Sequence, residues 1–130
     1  MRINVVPTVK VGEVEFGMSR EEVRTLLGKA TEFYKFEDDS ITTDDFGFCH
    51  VFYDQDNKCE AIEIFSEAEV FCNGTLIFPT DFITAQKAIS DLEEDDEGLI
   101  SYSGSIGIYA PDGEMESILF GKTGYYNEED

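Results

Sequence analysis

The chain has 130 residues, 42% of them hydrophobic, with 11 Phe and 6 Tyr, which suits one domain with its own core. Against 29 Asp and Glu stand nine Lys and Arg, a formal charge of −20; a surface of that sign repels nucleic acid and anionic membrane and attracts a basic protein partner. No run approaches the roughly 20 apolar residues of a membrane span.

Taken in chain order, Met1 to Pro7 holds one Arg and a short apolar run. A secretory signal needs about 7–15 apolar residues and a small-residue cleavage site, so a cytoplasmic location is expected. Gly12 to Ser19 reads as a short strand reaching a helix cap. Ser19 as N-cap and Glu22 form a capping box, Met18 and Val23 a hydrophobic staple, and Val23, Leu26 and Leu27 an apolar stripe. Arg20, Glu21, Arg24 and Thr25 are expected to face water, and Gly28 to end the helix. Strands are expected over Glu32–Phe36, Phe46–Tyr53 and Cys59–Phe65, the last two flanking a turn at Asp54–Lys58. Val70–Cys72 and Thr75–Phe78 flank Asn73-Gly74, a type I′ hairpin signal.

After Pro79 a second helix is expected, capped by Thr80 or Asp81, with Phe82, Ala85, Ile89 and Leu92 inward. It should stop near Leu92, because the acids Glu93 to Glu97 sit badly at the negative end of a helix dipole. Ser103–Ala110 and Met115–Phe120 read as strands around a Pro111-Asp112-Gly113 turn, and Asn127 to Asp130 as a frayed end.

Gly12–Ser19 aligns with Gly74–Asp81 at an offset of 62 residues, and the two helical stripes follow in step. Phe52-Tyr53 before Cys59–Ile62 then matches Ile108-Tyr109 before Met115–Ile118 at an offset of 56. The expected fold class is α+β: one domain over 1–130, an antiparallel sheet with two helices on one face, built as tandem helix–β–β–β units of about 9–66 and 69–122.

The segment Phe16-Gly17-Met18-Ser19-Arg20-Glu21-Glu22-Val23-Arg24-Thr25-Leu26-Leu27-Gly28 resembles the G-M-[S/T]-x-x-x-V-x-x-L-L-G opening of β-lactamase-inhibitor-protein-like and SmpA/OmlA-type domains. The resemblance implies helices on one face of a small antiparallel sheet and, in the inhibitor, a duplicated helix–sheet unit. It carries the fold, not β-lactamase inhibition or outer-membrane assembly.

No residue set reads as catalytic. His50 is the sole histidine, and adjacent Cys49 points to the opposite strand face. Cys49, Cys59 and Cys72 read as buried free thiols rather than a disulfide or zinc set. Asp54-Gln55-Asp56-Asn57-Lys58 opens like a calcium loop, but Cys59 stands at the sixth position and Phe65 at the twelfth, so a hairpin turn is expected. Thr42-Thr43-Asp44-Asp45 reads as a solvated loop. No metal or cofactor is expected.

A turn joining Asp54 to Cys59 pairs residues whose numbers sum to 113. Cys49, Val51, Ile62 and Ile64 then share one face. Phe48, His50, Phe52, Ala61, Glu63 and Phe65 share the other, with a His50–Glu63 hydrogen bond across the strands. One apolar face suffices for a sheet covered by helices on one side, so the second marks a packing layer, a dimer interface or a partner site, and either face could meet the helices. The expected partner-binding residues are Phe48, His50, Phe52, Glu63 and Phe65, with Asp44 and Asp45, and the acids Glu37–Asp39 and Glu93–Glu97, meeting a basic surface. The reading is a non-catalytic inhibitor or immunity-type module. The alternatives are a small enzyme or ligand-binding protein with an unrecognised pocket, and a homodimer.

Overall fold

Cys49 lies opposite Ile64, His50 opposite Glu63, Val51 opposite Ile62 and Phe52 opposite Ala61, so the central hairpin has the sum-of-113 register. A bulge then places Tyr53 opposite Cys59. Around this hairpin the computed structural model, which describes residues 1–65 and 67–126, builds two sheets and two short helices. The expected frayed end, Asn127 to Asp130, lies outside the described residues.

The elements are β1 (Arg2–Val6), β2 (Lys10–Val11), β3 (Val14–Glu15), α1 (Arg20–Leu27), β4 (Thr31–Phe33), β5 (Thr43–Asp45), β6 (Cys49–Tyr53) and β7 (Cys59–Phe65). They continue with β8 (Glu69–Cys72), β9 (Thr75–Phe78), α2 (Phe82–Ala88), β10 (Glu93–Asp95), β11 (Gly98–Ser101), β12 (Ile106–Tyr109) and β13 (Ser117–Gly121). The fold is α+β and mostly antiparallel. The larger sheet has eight strands in the order β10-β11-β12-β13-β7-β6-β5-β4, and the smaller has five in the order β3-β2-β1-β8-β9. β1 and β8 pair in parallel, with Ile3 beside Val70 and Val5 beside Cys72. The single sheet expected from sequence is thus corrected to two, because Arg2–Val6 alternates and buries Ile3 and Val5.

Local signals explain most element ends. Ser19 and Glu22 exchange hydrogen bonds with each other's backbone, and Gly28 closes α1 at φ 98°. Asp81 accepts from the Thr84 N–H and caps α2. That helix stops at Ala88, short of Leu92, because Ile89 is already extended. Asn73 and Gly74 have φ of 53° and 82°, the left-handed pair that a type I′ turn requires. β6 begins only at Cys49, since Gly47 (φ 94°) and a Phe46 N–H bond to the Cys49 carbonyl turn the chain first.

Five strands lie where the sequence reading expected none, β1 and β2 among them. β10 and β11 form a hairpin out of the acidic run, and β5 replaces the supposed solvated loop. Arg20, expected to face water, is instead buried against Asp44.

One core cluster joins Val23 of α1, Ala85 of α2, Val5, Val70 and Phe78 of the smaller sheet, and Val51, Ile64, Ile118 and Phe120 of the larger. No helix among the described residues is long and apolar enough to cross a membrane.

Candidate protein-binding face

Away from the bulge at Phe52 and Tyr53, one row of paired residues crosses the eight-stranded sheet from edge to edge. Thr31, Asp45, His50, Glu63, Leu119, Gly107, Ile100 and Glu93 lie side by side, one per strand. Side chains alternate along a strand, so this row shares a face, and none of its members is buried. In the neighbouring row, Asp44, Val51, Ile62, Phe120, Ile106 and Ser101 are all buried. The first row therefore marks the outward face and the second the core face.

The inward row contains a carboxylate, and α1 explains it. Asp44 is fully buried, and its Oδ1 accepts from Arg20 at 2.8 Å and from Arg24 at 2.6 Å. Its Oδ2 accepts from Arg24 Nε and from the Tyr53 hydroxyl, each at 2.9 Å. Arg20 and Arg24 are four apart and so reach one point from one helix face. Arg20 also donates to the Thr42 carbonyl and Asn57, and its guanidinium stacks 4.1 Å from the centre of the Tyr53 ring. Burial alone would raise the Asp44 pKa, but hydrogen bonds from Arg24 and Tyr53 and the two positive charges hold it below the ordinary carboxylate value. Burial, and then the bond to Asp44, push the Tyr53 phenol up. Arg24 also reaches the exposed Glu32 at 3.0 Å, and Asp44, with no exposed surface, anchors the strand to the helix.

The outward face carries the other expected residues, with one exception. His50 sits edge-on between two rings, 4.9 Å from Phe33 and 4.8 Å from Phe65. Its Nε2 is 3.7 Å from Asp45 Oδ1. The expected His50–Glu63 hydrogen bond does not form. Glu63 instead accepts from Ser117 Oγ at 2.8 Å and from Lys35 Nζ at 3.2 Å, and Lys35 lies 5.0 Å from the Phe52 ring centre. Burial lowers the His50 pKa, with Lys35 assisting and Asp45 and Glu63 opposing. Phe52 and Phe65 are half-exposed. Phe48 departs: it lies beyond the start of β6, packs against the core, and lines a separate groove of about 460 Å³ with Leu26, Leu27 and Ile62.

Sequence reasoning missed Phe33, Lys35, Leu119, Tyr125 and Tyr126. The last two belong to a C-terminal segment that crosses the outward face. On one side Tyr125 walls a cleft of about 560 Å³ with Lys35, Asp39, Phe52, Glu60 and Glu63. On the other, Tyr126 walls a groove of about 290 Å³ with Asp95, Glu97, Ile100 and Tyr109.

Cys49 and Cys59 are buried thiols pushed up to about 12 by that burial. Among the described residues no group of three or more His, Cys, Asp or Glu is placed to hold a metal ion. The Asp54 side chain accepts from the Asp56 and Lys58 N–H groups, closing the hairpin turn. Comparison with protein-family models, with curated proteins and with solved structures finds no match to this chain.

Proposed function

We propose that the chain is a non-catalytic protein-binding module, of inhibitor or immunity type, that uses the outward face of the eight-stranded sheet to cover a basic surface of its partner. The observation that carries this reading is the cluster of His50, Phe33, Phe52 and Phe65, half-exposed on a face that also bears Asp45, Asp39, Glu60, Asp95 and Glu97. Aromatic rings supply the area that is desolvated on binding, and carboxylates on a chain of charge −20 speed the encounter with a basic protein.

The strand order supports a finer reading of the fold. β4 to β7 follow α1 and β10 to β13 follow α2, and the two sets meet at β7 and β13 in mirror order. We read this as a duplicated helix-plus-four-strand unit with its helices on the core face, in line with the inhibitor-like resemblance. One observation favours a second function: the cleft of about 560 Å³ is large enough for a small ligand.

The test is capture of a partner from native lysate on the immobilised chain, followed by binding kinetics with wild type and Phe52→Ala. The module reading expects Phe52→Ala to weaken binding by about tenfold or more, and the association rate to fall with added salt. Undiminished, salt-independent binding by a folded Phe52→Ala chain would overturn it.

A further inference from the structure

Gly107 and Gly121 occupy strands β12 and β13, where a glycine weakens pairing and commonly marks a close approach of another group. Both are roofed by tyrosines. A methyl group on Gly121 would overlap the base of the Tyr125 side chain, and one on Gly107 would overlap the hydroxyl end of Tyr126. The two rings meet edge to face, with centroids 5.2 Å and planes 88° apart. Aromatic cover of a strand glycine restores the burial that the missing side chain forfeits.

The segment bearing these rings meets the sheet through the rings and through Lys122, whose ammonium lies 3.8 Å from Glu60 and 4.0 Å from Asp54. Lys122 N–H also bonds the Glu60 carbonyl at 2.9 Å, but beyond it Tyr125 N–H bonds only locally, to the Lys122 carbonyl at 3.0 Å. Lys122 to Tyr126 form no strand. Two ring-shaped slots with bare backbone floors thus lie within the outward face, between the two clefts. Carboxylates flank both: Glu60 and Glu63 on the Tyr125 side, and Asp95 and Glu97 on the Tyr126 side.

We propose that Tyr125 and Tyr126 are an intramolecular stand-in, and that the slots recognise aromatic side chains of the partner, set among lysines or arginines, which displace this segment on binding. The proposal rests on the protein-binding reading of this face and names the chemistry recognised. The chain's own tyrosines are the evidence for the ring, and the flanking carboxylates are the evidence for the basic neighbours. Because the tethered rings act at a high effective concentration, they raise the threshold that a partner must meet and exclude basic proteins lacking a suitable aromatic.

The test uses two probes on the full chain, a lysine–tyrosine random copolymer and polylysine of matched length. Polylysine reports charge alone. Tyr125→Ser/Tyr126→Ser is expected to bind the copolymer about tenfold more tightly than wild type, with polylysine binding unchanged. Filling the slots with Gly107→Val/Gly121→Val should return copolymer binding to the polylysine level. Equal or weaker copolymer binding by the folded serine variant, or an equal gain for polylysine, overturns the proposal. Should the valine variant not fold, wild-type amide shifts decide: the copolymer is expected to move Gly107 and Gly121, and unmoved signals overturn the proposal. Failure here is distinguishable from failure of the module reading, which is read from Phe52→Ala against the captured partner.

Discussion

Arg20 Nη1 donates to Asp44 Oδ1 at 2.8 Å, joining the first turn of α1 to the middle of a three-residue strand. Neither residue type belongs in a core by composition. Each is there because the other is, with Arg24, Tyr53, Asn57 and the Thr42 carbonyl satisfying the remaining donors and acceptors.

Removing the carboxylate leaves the buried Arg20 guanidinium uncompensated. Asp44→Ala is expected to destabilise the fold by about 3–5 kcal/mol, measured by urea unfolding. A loss under about 1 kcal/mol would show that the network behaves like a surface ion pair. The folded pKa of Asp44 lies below its ordinary value, so its contribution is whole above about pH 4 and lost as pH falls through the folded value.

His50 gives a second pH dependence of known sign. Its folded pKa is lowered by burial between Phe33 and Phe65, so the neutral ring is favoured. Asp45 and Glu63 on the adjacent strands oppose this and Lys35 assists it. The associated stability is present above about pH 6.5 and is lost as pH falls through the lowered folded value. Nuclear magnetic resonance of the ring should give a midpoint below that of a free histidine, and His50→Gln should remove this part of the pH dependence. A raised midpoint would mean that the two carboxylates dominate.

The two strand glycines should differ in tolerance. At Gly121 an added methyl meets the rigid base of Tyr125, whereas at Gly107 it meets the far end of Tyr126, which can swing aside. Gly121→Ala is expected to cost about 1–3 kcal/mol and Gly107→Ala distinctly less, by thermal or urea unfolding. The reverse order would contradict the packing described.

The three cysteines are free and buried, and the thiols of Cys49 and Cys59 are pushed up to about 12. A thiol-specific reagent at neutral pH should react slowly with the native chain and with all three residues after unfolding. Rapid labelling of the native chain would reveal opening of the hairpin.

Much of this was legible because it is local. The capping box at Ser19 and Glu22, the Asn73-Gly74 turn and the β6–β7 register each follow from residues a few positions apart. What escaped depends on distant partners. Asp44 reads as solvent-facing until the two helix arginines, twenty or more positions earlier, are seen to converge on it. The i, i+4 spacing of Arg20 and Arg24 on either side of buried Val23 was the available signal. Phe48 was misplaced because Gly47 turns the chain and ends the strand alternation before it reaches that ring. β1 pairs with β8 across more than sixty residues, and Tyr125 and Tyr126 find their glycines only through the tertiary fold.

Partner binding by the outward face is read out by mapping backbone amide shifts of the labelled chain on titration with its captured partner. Changes are expected to concentrate at Phe33, His50, Phe52, Phe65 and Leu119, with α1, α2 and the five-stranded sheet little affected. Changes confined to the helices or the smaller sheet, with this face silent, would contradict it.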